Sequence, residues 1–235
     1  MHPSAIVASS NSKSLLFDYD GVVIRNKQVL DRVSHASVLF CQRYLHESYS
    51  VVSNTNKKYF PKYGHTVTML QEMFKVNTCM DEYNEFVYEK HMDYDSIPAM
   101  LDQSDLDNKD DIVNCIESFQ NQGISYGIYT NNCDAWVQRV NRVLGLDELF
   151  ENDLVFSQDN LVHSKPDVRS YQEVEKKFMQ STKSQHIVFL DDNKTNLKAV
   201  VDNSNWTPIH VSSTSKISTL LGDHTDILDA NVTLL

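Results

Sequence analysis

Long apolar runs are missing from this chain: no stretch approaches the ~18 consecutive apolar residues that a membrane-spanning helix needs. No membrane partner is therefore expected. Positive charge is also scarce, with 21 Lys and Arg against 32 Asp and Glu, a formal net charge of -11. A broad nucleic-acid footprint needs clustered cations, so nucleic acid is not an expected partner either. A small phosphate ester stays open, because it asks only for one or two local cations and a metal in a site that makes its own positive field. Paired cysteines are absent as well. Cys41, Cys79, Cys115 and Cys133 are widely spaced with no CxxC, and Cys41 and Cys115 fall on apolar faces of expected helices. A core of this size needs no staples, so four reduced thiols are the better reading than two disulfides. The opening MHPSAIVASSNSKS has neither a cationic start nor an apolar run long enough for a signal peptide. These absences together lead to the expectation of a soluble, cytoplasmic protein, monomeric or homodimeric.

What is present begins with a chain that is 41% hydrophobic and 10% aromatic, which is enough for a sizeable core. The informative stretch is Ser14 to Ile24, SLLFDYDGVVI. Leu15, Leu16 and Phe17 form an apolar run of strand length, and a buried parallel strand reads in this way. The run ends in Asp18 and Asp20, followed by Gly21. Ligands of open α/β sheets bind just outside the carboxyl ends of such strands. Two acids placed there repel each other unless a cation lies between them, and Mg²⁺ is the usual one. Residues i and i+2 of a strand point the same way, so one acid can attack while the other handles a proton. The bland alternative is a solvated Asp-Gly turn.

Down the chain, Val29, Val33, Ala36, Phe40 and Tyr44 recur at helical spacing between Lys27 and Leu45. Pro61 and Gly64 break YFPKYGHTVTMLQEMF into a turn and a second helix, and a third helical pattern runs from about Met80 to Lys90. No strand-like alternation occurs between Lys27 and His91. Ser96 to Asn108 reads as a turn-rich connection, and the helix marked by Ile112, Cys115, Ile116 and Phe119 ends near Gly123. From there strands (Ile124–Tyr129, Leu154–Phe156, His186–Leu190, Pro208–Val211) alternate with helices. Such alternation predicts a parallel sheet covered on both faces. The fold expected is α/β, a doubly wound, Rossmann-like core of residues 14–24 and 105–220 with an all-helical cap, 25–104, inserted in it. Terminal extensions, 1–13 and 221–235, complete the division.

Each of three core strands ends in different polar residues: Asp18 and Asp20, Thr130-Asn131-Asn132, and Asp191-Asp192. Ser164-Lys165-Pro166-Asp167 lies between the last two. Taken singly, Thr130-Asn131-Asn132 reads as a helix N-cap, Lys165 as a surface lysine and Asp191-Asp192 as another cap. Taken together at one sheet edge, they supply a nucleophile, a carboxylate cradle, a hydroxyl and a fixed ammonium, which is a set suited to phosphoryl transfer.

The order DxDGV, hydrophobic-TN, KP, hydrophobic-DD resembles the haloacid dehalogenase-like hydrolase superfamily, from about Ser14 to Val211. Tyr63-Gly64-His65-Thr66 with Leu70, Tyr94-Asp95-Ser96-Ile97, and Leu144-Gly145-Leu146 with Phe150 resemble signatures of its pyrimidine 5′-nucleotidase branch. His65 and Met69 depart from that branch's usual Thr and Gly, and DYDGVV departs from its D-x-D-N-T-L. These departures bear on the substrate more than on the chemistry. The resemblance implies that Asp18 attacks phosphorus, Asp20 serves as acid and then base, Thr130 and the Asn131 N–H hold phosphoryl oxygens, and Lys165 neutralises charge. It implies a Mg²⁺ site built from Asp18, the Asp20 carbonyl, Asp191 and Asp192. Asp192 is the first choice of direct ligand, because Asn196 stands where many relatives carry another acid. Tyr19, Asn131 and Asn132 of the core and Tyr63, His65 and Thr66 of the cap are the residues it places against substrate.

The function expected is a Mg²⁺-dependent phosphatase acting on a small phosphorylated substrate, foremost a nucleoside 5′-monophosphate. A sugar-phosphate phosphatase or phosphomutase is the alternative, and a catalytically silent binding protein a further one. Dehalogenation is disfavoured, since relatives with that activity need no metal and generally lack the second acid, here Asp20.

Overall fold

The computed structural model describes residues 13–150, 152–182 and 186–222. The expected terminal extensions lie outside these apart from Lys13, Leu221 and Gly222. Strand β1, Lys13–Phe17, occupies the middle of a five-stranded sheet. On one side lie β2 (Ser125–Tyr129) and β3 (Val155–Phe156), and on the other β4 (His186–Asp191) and β5 (Thr207–His210). The order is β3-β2-β1-β4-β5 and every pairing is parallel. This is the expected doubly wound α/β architecture.

The unbroken apolar run of β1 has a direct cause. Leu15 and Phe17 face one core, with Ile128, Val188 and Leu190 from neighbouring strands. That face is covered by α5 (Gln103–Asn121), α6 (Asp134–Leu144) and α9 (Ile217–Leu221). Leu16 faces the other, with Tyr129, Ile187 and Phe189, beneath α7 (Val168–Thr182) and α8 (Lys194–Asn203). A central strand sandwiched in this way has no solvent face to make polar.

Between β1 and α5 the described chain is helical throughout its regular structure: α1 (Lys27–Leu45), α2 (Tyr49–Tyr63), α3 (Thr66–Phe74) and α4 (Met80–Asn84). Helix α4 widens into a π-helical segment, Glu85–Lys90, and a 3₁₀ helix, Tyr94–Met100, leads back to the sheet. Two boundaries differ from the sequence reading. Helix α2 is an additional element, hidden because its only buried residues are Val52 and Asn56. Pro61 sits in its last turn, and the break comes at Gly64, whose left-handed φ of 68° closes the helix. Helix α5 starts at Gln103, well ahead of Ile112, inside what reads as turn-rich connection. Asp102 accepts from the Ser104 and Asp105 N–H groups, while the Asp105 carboxylate accepts from the Asp102 N–H. This is a capping box with Asp in the place of Glu. Among the described residues no helix is long and apolar enough to cross a membrane.

Candidate active site

Sheet register assembles the site. Phe17 pairs with Ile128 on β2 and with Leu190 on β4. The next residue of each strand, Asp18, Tyr129 and Asp191, therefore emerges at one level, with Thr130 just beyond. Asp18 still donates its N–H to the Leu190 carbonyl, at 2.8 Å. After Asp18 the chain turns sharply: the Tyr19 carbonyl accepts from Val23 and Ile24, and the Gly21 N–H reaches the Ile24 carbonyl. Gly21 has φ 89°, and a Cβ there would stand 2.4 Å from Asp192 Oδ2. A glycine is what lets the β4 carboxylate close on the β1 turn.

Lys165 is the buried hub, with 1% of its surface exposed. Its Nζ donates to Asp18 Oδ1 at 2.7 Å, Asp191 Oδ2 at 2.9 Å and the Tyr129 carbonyl at 2.9 Å. Burial alone would lower its pKa, but the charges of Asp18 and Asp191 outweigh that and hold it above the usual lysine value. Asp18 is pushed well above the carboxylate range by burial and by the Asp191 charge, with Lys165 pulling the other way. Asp18 Oδ1 also accepts from the Tyr19 N–H, at 2.7 Å. Its Oδ2 carries no hydrogen bond among the described residues. Asp191 is saturated: Oδ1 accepts from Asn193 N–H at 2.7 Å, and Oδ2 from Lys165 and from Asn196 Nδ2 at 3.0 Å. Asp192 beside it lines the cavity, its pKa raised to about 6 by partial desolvation against the surrounding protein and by the Asp191 charge. One carboxylate oxygen from each of Asp18, Asp191 and Asp192 lies within 4.8 Å of the other two. Crowded, hard oxygen donors of this kind are a set that suits a divalent cation such as Mg²⁺.

Asp20 is held by nitrogen donors on both oxygens: Asn132 Nδ2 to Oδ2 at 2.8 Å and Trp136 Nε1 to Oδ1 at 2.9 Å. Burial raises its pKa and these two bonds oppose the rise. Thr130 Oγ1 accepts from the Asn132 N–H, leaving the hydroxyl hydrogen available to an incoming oxygen. The Asn131 side chain ties two loops together at the cavity floor. Its Nδ2 donates to the carbonyls of Gly64 and Lys165, and its Oδ1 accepts from the Lys165 N–H.

These groups open on a cavity of about 630 Å³. Asp18, Asp20, Thr130, Asn131, Asn132, Lys165 and Asp192 form its floor, and Leu30, Val33, Ser34, Asn56, Phe60 and Thr66 are among the helical residues opposite. Two residues read as substrate contacts are placed elsewhere. Tyr19 is fully buried, donating its hydroxyl to Asn141 Oδ1 at 2.8 Å. In extended chain the residue between Asp18 and Asp20 points to the opposite side from both, into the core. Tyr63 belongs to α2 and not to a turn, on the helical face of Val52, Asn56 and Tyr59, and packs on the apolar core outside the cavity lining. His65 does line the cavity, but its polar atoms are engaged otherwise. Nδ1 accepts the Val67 N–H at 3.1 Å, capping α3, so the proton sits on Nε2, which is sealed from solvent and has no partner among the described residues. Burial pushes its pKa down to about 4. Thr66 Oγ1 faces Asn56 Oδ1 at 3.4 Å.

Two residues outside the sequence-derived set also reach the site: Trp136, through its indole N–H to Asp20, and Tyr88, whose hydroxyl donates to Asn132 Oδ1 at 2.8 Å. A buried indole N–H needs an acceptor, and that requirement was the available signal for Trp136.

Comparison with known proteins agrees with this geometry. A family model described as haloacid dehalogenase-like hydrolase matches residues 15–202. Among solved structures, the chain is similar to a HAD hydrolase of family IA, variant 3, from Entamoeba histolytica, at 18% identity and TM-score 0.56, covering 89% of this chain and 88% of that one. A hydrolase from Pseudomonas syringae aligns at 16% identity and TM-score 0.53, covering 88% of each chain. A protein assigned as a β-phosphoglucomutase from Bacteroides vulgatus aligns at 13% identity and TM-score 0.51, covering 86% of this chain and 76% of that one. At these identities the likeness is one of fold. No curated protein matches the chain.

Proposed function

Because the chain belongs to the haloacid dehalogenase-like hydrolases, we propose that it is a phosphomonoesterase working through an aspartyl phosphate on Asp18. The observation that carries this reading is the pairing of Asp18 with Lys165 at 2.7 Å, beside a second acid, Asp20, on the same cavity floor. Asp18 Oδ2 attacks phosphorus while Oδ1 stays on Lys165 and the Tyr19 N–H. Asp20 delivers a proton to the departing alkoxide, then takes one from the water that hydrolyses the aspartyl phosphate. The Thr130 hydroxyl donates to a phosphoryl oxygen. Asp18 and Asp192, with the Asp20 carbonyl, would hold Mg²⁺, whose bound charge offsets that of the phosphoryl group. Asp191, already bonded to Lys165 and Asn196, orients the lysine.

The helical block opposite the floor acts in this reading as the cap that selects substrate, the core residues meeting only the phosphoryl group. Nucleoside 5′-monophosphates are the proposed class. Support comes from the resemblance around Tyr63–Thr66 and from a cavity within the usual 300–1,000 Å³ range of small-molecule sites. Phe60, at the cavity wall, is the ring offered to a base in place of Tyr63. Four free thiols accord with a reducing, cytoplasmic setting. The test is a screen of phosphorylated metabolites with Mg²⁺, followed by acid-quench trapping of ³²P. Label on Asp18, absent in Asp18→Asn, is expected, and label on any other residue would overturn the assignment. Label that persists in water until a sugar phosphate is added would point to a phosphomutase.

A further inference from the structure

Asp20 is the proposed proton donor, yet nothing in the phosphoryl chemistry itself says how its carboxylate is aimed. Two buried aromatic residues from different parts of the fold converge on it. Trp136, on α6, is fully buried and absent from the cavity lining, and its indole N–H donates to Asp20 Oδ1. Tyr88 lies on the π-helical segment Glu85–Lys90 and is 1% exposed. It reaches Asp20 indirectly: Tyr88 hydroxyl to Asn132 Oδ1 at 2.8 Å, then Asn132 Nδ2 to Asp20 Oδ2 at 2.8 Å.

The direction of this relay is set by chemistry. An amide can present either its oxygen or its nitrogen, and only the nitrogen can donate to a carboxylate. A hydroxyl donating to Oδ1 fixes the amide with Nδ2 toward Asp20. Without that hydroxyl, rotation of the amide would set oxygen against carboxylate. The two aromatic residues also support one another, with ring centroids 5.3 Å apart and planes 31° apart. Their elements are joined again by Arg139 of α6 and Glu89 of the π-helical segment, at 2.6 Å. A π-helical turn in place of an α-turn commonly marks a functional position. Here it carries the tyrosine.

We propose that Trp136 and Tyr88, the latter through Asn132, are positioning residues for Asp20, so that proton delivery to the leaving group depends on the helical cap being docked through Tyr88. This rests on the acid–base reading of Asp20. Groups that orient a reacting side chain act at a distance from the substrate, and small misplacements cost rate.

The test uses the dependence of aspartyl-phosphate formation on the leaving group. Single-turnover rates of the Mg²⁺-loaded enzyme would be measured with p-nitrophenyl phosphate, phenyl phosphate and an alkyl phosphate, for wild type, Tyr88→Phe, Trp136→Phe and Asp20→Asn. p-Nitrophenolate leaves without a proton, whereas an alkoxide needs one. Expected for Tyr88→Phe and Trp136→Phe are rates within about twofold of wild type on p-nitrophenyl phosphate and about 10-fold lower on the alkyl phosphate, part of the 10²–10⁴ that a general acid supplies. Asp20→Asn, which removes the acid itself, should show the steepest dependence on the leaving group. Equal slowing on all three substrates would mean a merely structural role and overturn the proposal. So would an unchanged alkyl phosphate rate in both variants while Asp20→Asn retains the dependence. No leaving-group dependence in Asp20→Asn itself would instead remove the acid–base reading beneath it. Tyr88→Phe, which deletes one oxygen, keeps the test decisive should Trp136→Phe fail to fold.

Discussion

Replacing Lys165 by Met keeps much of the side chain's length and removes its charge. The structure shows what that leaves behind. Three buried acceptors lose their donor: Asp18 Oδ1, Asp191 Oδ2 and the Tyr129 carbonyl. The ammonium also lies 4.9 Å from the Tyr129 ring centroid and 5.1 Å from that of Phe189, cation–π contacts that a thioether does not reproduce. Compensation is partial. Asp191 keeps the Asn193 N–H and the Asn196 amide, and Asp18 keeps the Tyr19 N–H. Removing one partner of a buried ion pair costs about 3–5 kcal/mol, because the remaining charge is left uncompensated. At roughly 2–4 °C per kcal/mol for a chain of this size, the melting temperature should fall by ~6–20 °C. The assay is thermal or urea unfolding in EDTA at neutral pH, with Asp191→Asn added to form a double-mutant cycle. Lys165→Met/Asp191→Asn should be less destabilised than the sum of the single variants, by ~0.5–3 kcal/mol, since one of the stranded charges is gone. A Lys165→Met midpoint within ~2 °C of wild type, or additive effects in the cycle, would refute the reasoning.

Other expectations follow from the same geometry. Gly64→Ala places a Cβ 1.5 Å from the Lys165 carbonyl oxygen at φ 68°; it should lower stability by more than ~1 kcal/mol and reduce kcat/KM, as urea unfolding and steady-state assay would show. His65 has its pKa pushed down to about 4 by burial, so the unfolded chain takes up a proton first as pH falls. Its contribution is intact above pH ~6.5 and declines by at most about 3 kcal/mol down to pH ~4; His65→Asn, which keeps a capping acceptor, should flatten that decline in urea midpoints measured across the range. EDTA should stop turnover and Mg²⁺ restore it, with Ca²⁺ inhibiting because it draws more oxygen ligands at longer distances; full activity in EDTA would contradict the metal site. Phe60→Ala should raise KM for a pyrimidine monophosphate while sparing p-nitrophenyl phosphate, and equal effects on both would remove the base-stacking role.

The sheet and its edge were legible in the sequence because each strand announces itself twice, by an apolar run and by the polar residues that end it. Asp18, Thr130, Lys165 and Asp191 are weak signals singly, and the ladder register explains why their order along the chain becomes a place in space. Side-chain direction was harder to read. Tyr19 sits inside the motif, yet alternation along an extended chain sends it to the core. Tyr63 follows Pro61, which reads as a break; the helix continues past the proline and carries the tyrosine to its packed face. Trp136 is both a core residue and an Asp20 partner, a pair of roles that burial patterning does not separate. Helix α2 escaped notice because it buries so little, and the start of α5 because its capping acids resemble those of a loop.

The approach of Gly64 to the Lys165 carbonyl decides which positions selection, in nature or in a laboratory, has to work with. Backbone meets backbone there, and the Asn131 amide spans both carbonyls. A codon-randomised library over Leu30, Val33, Ser34 and Phe60 samples new cavity walls on an intact frame. Members altered at position 64 or 131 lose the joint that sets the lysine, and drop out before their specificity is ever screened. Tolerance to change thus belongs to the wall, while close packing at Gly64 and the bonds of Asn131 restrict the joint.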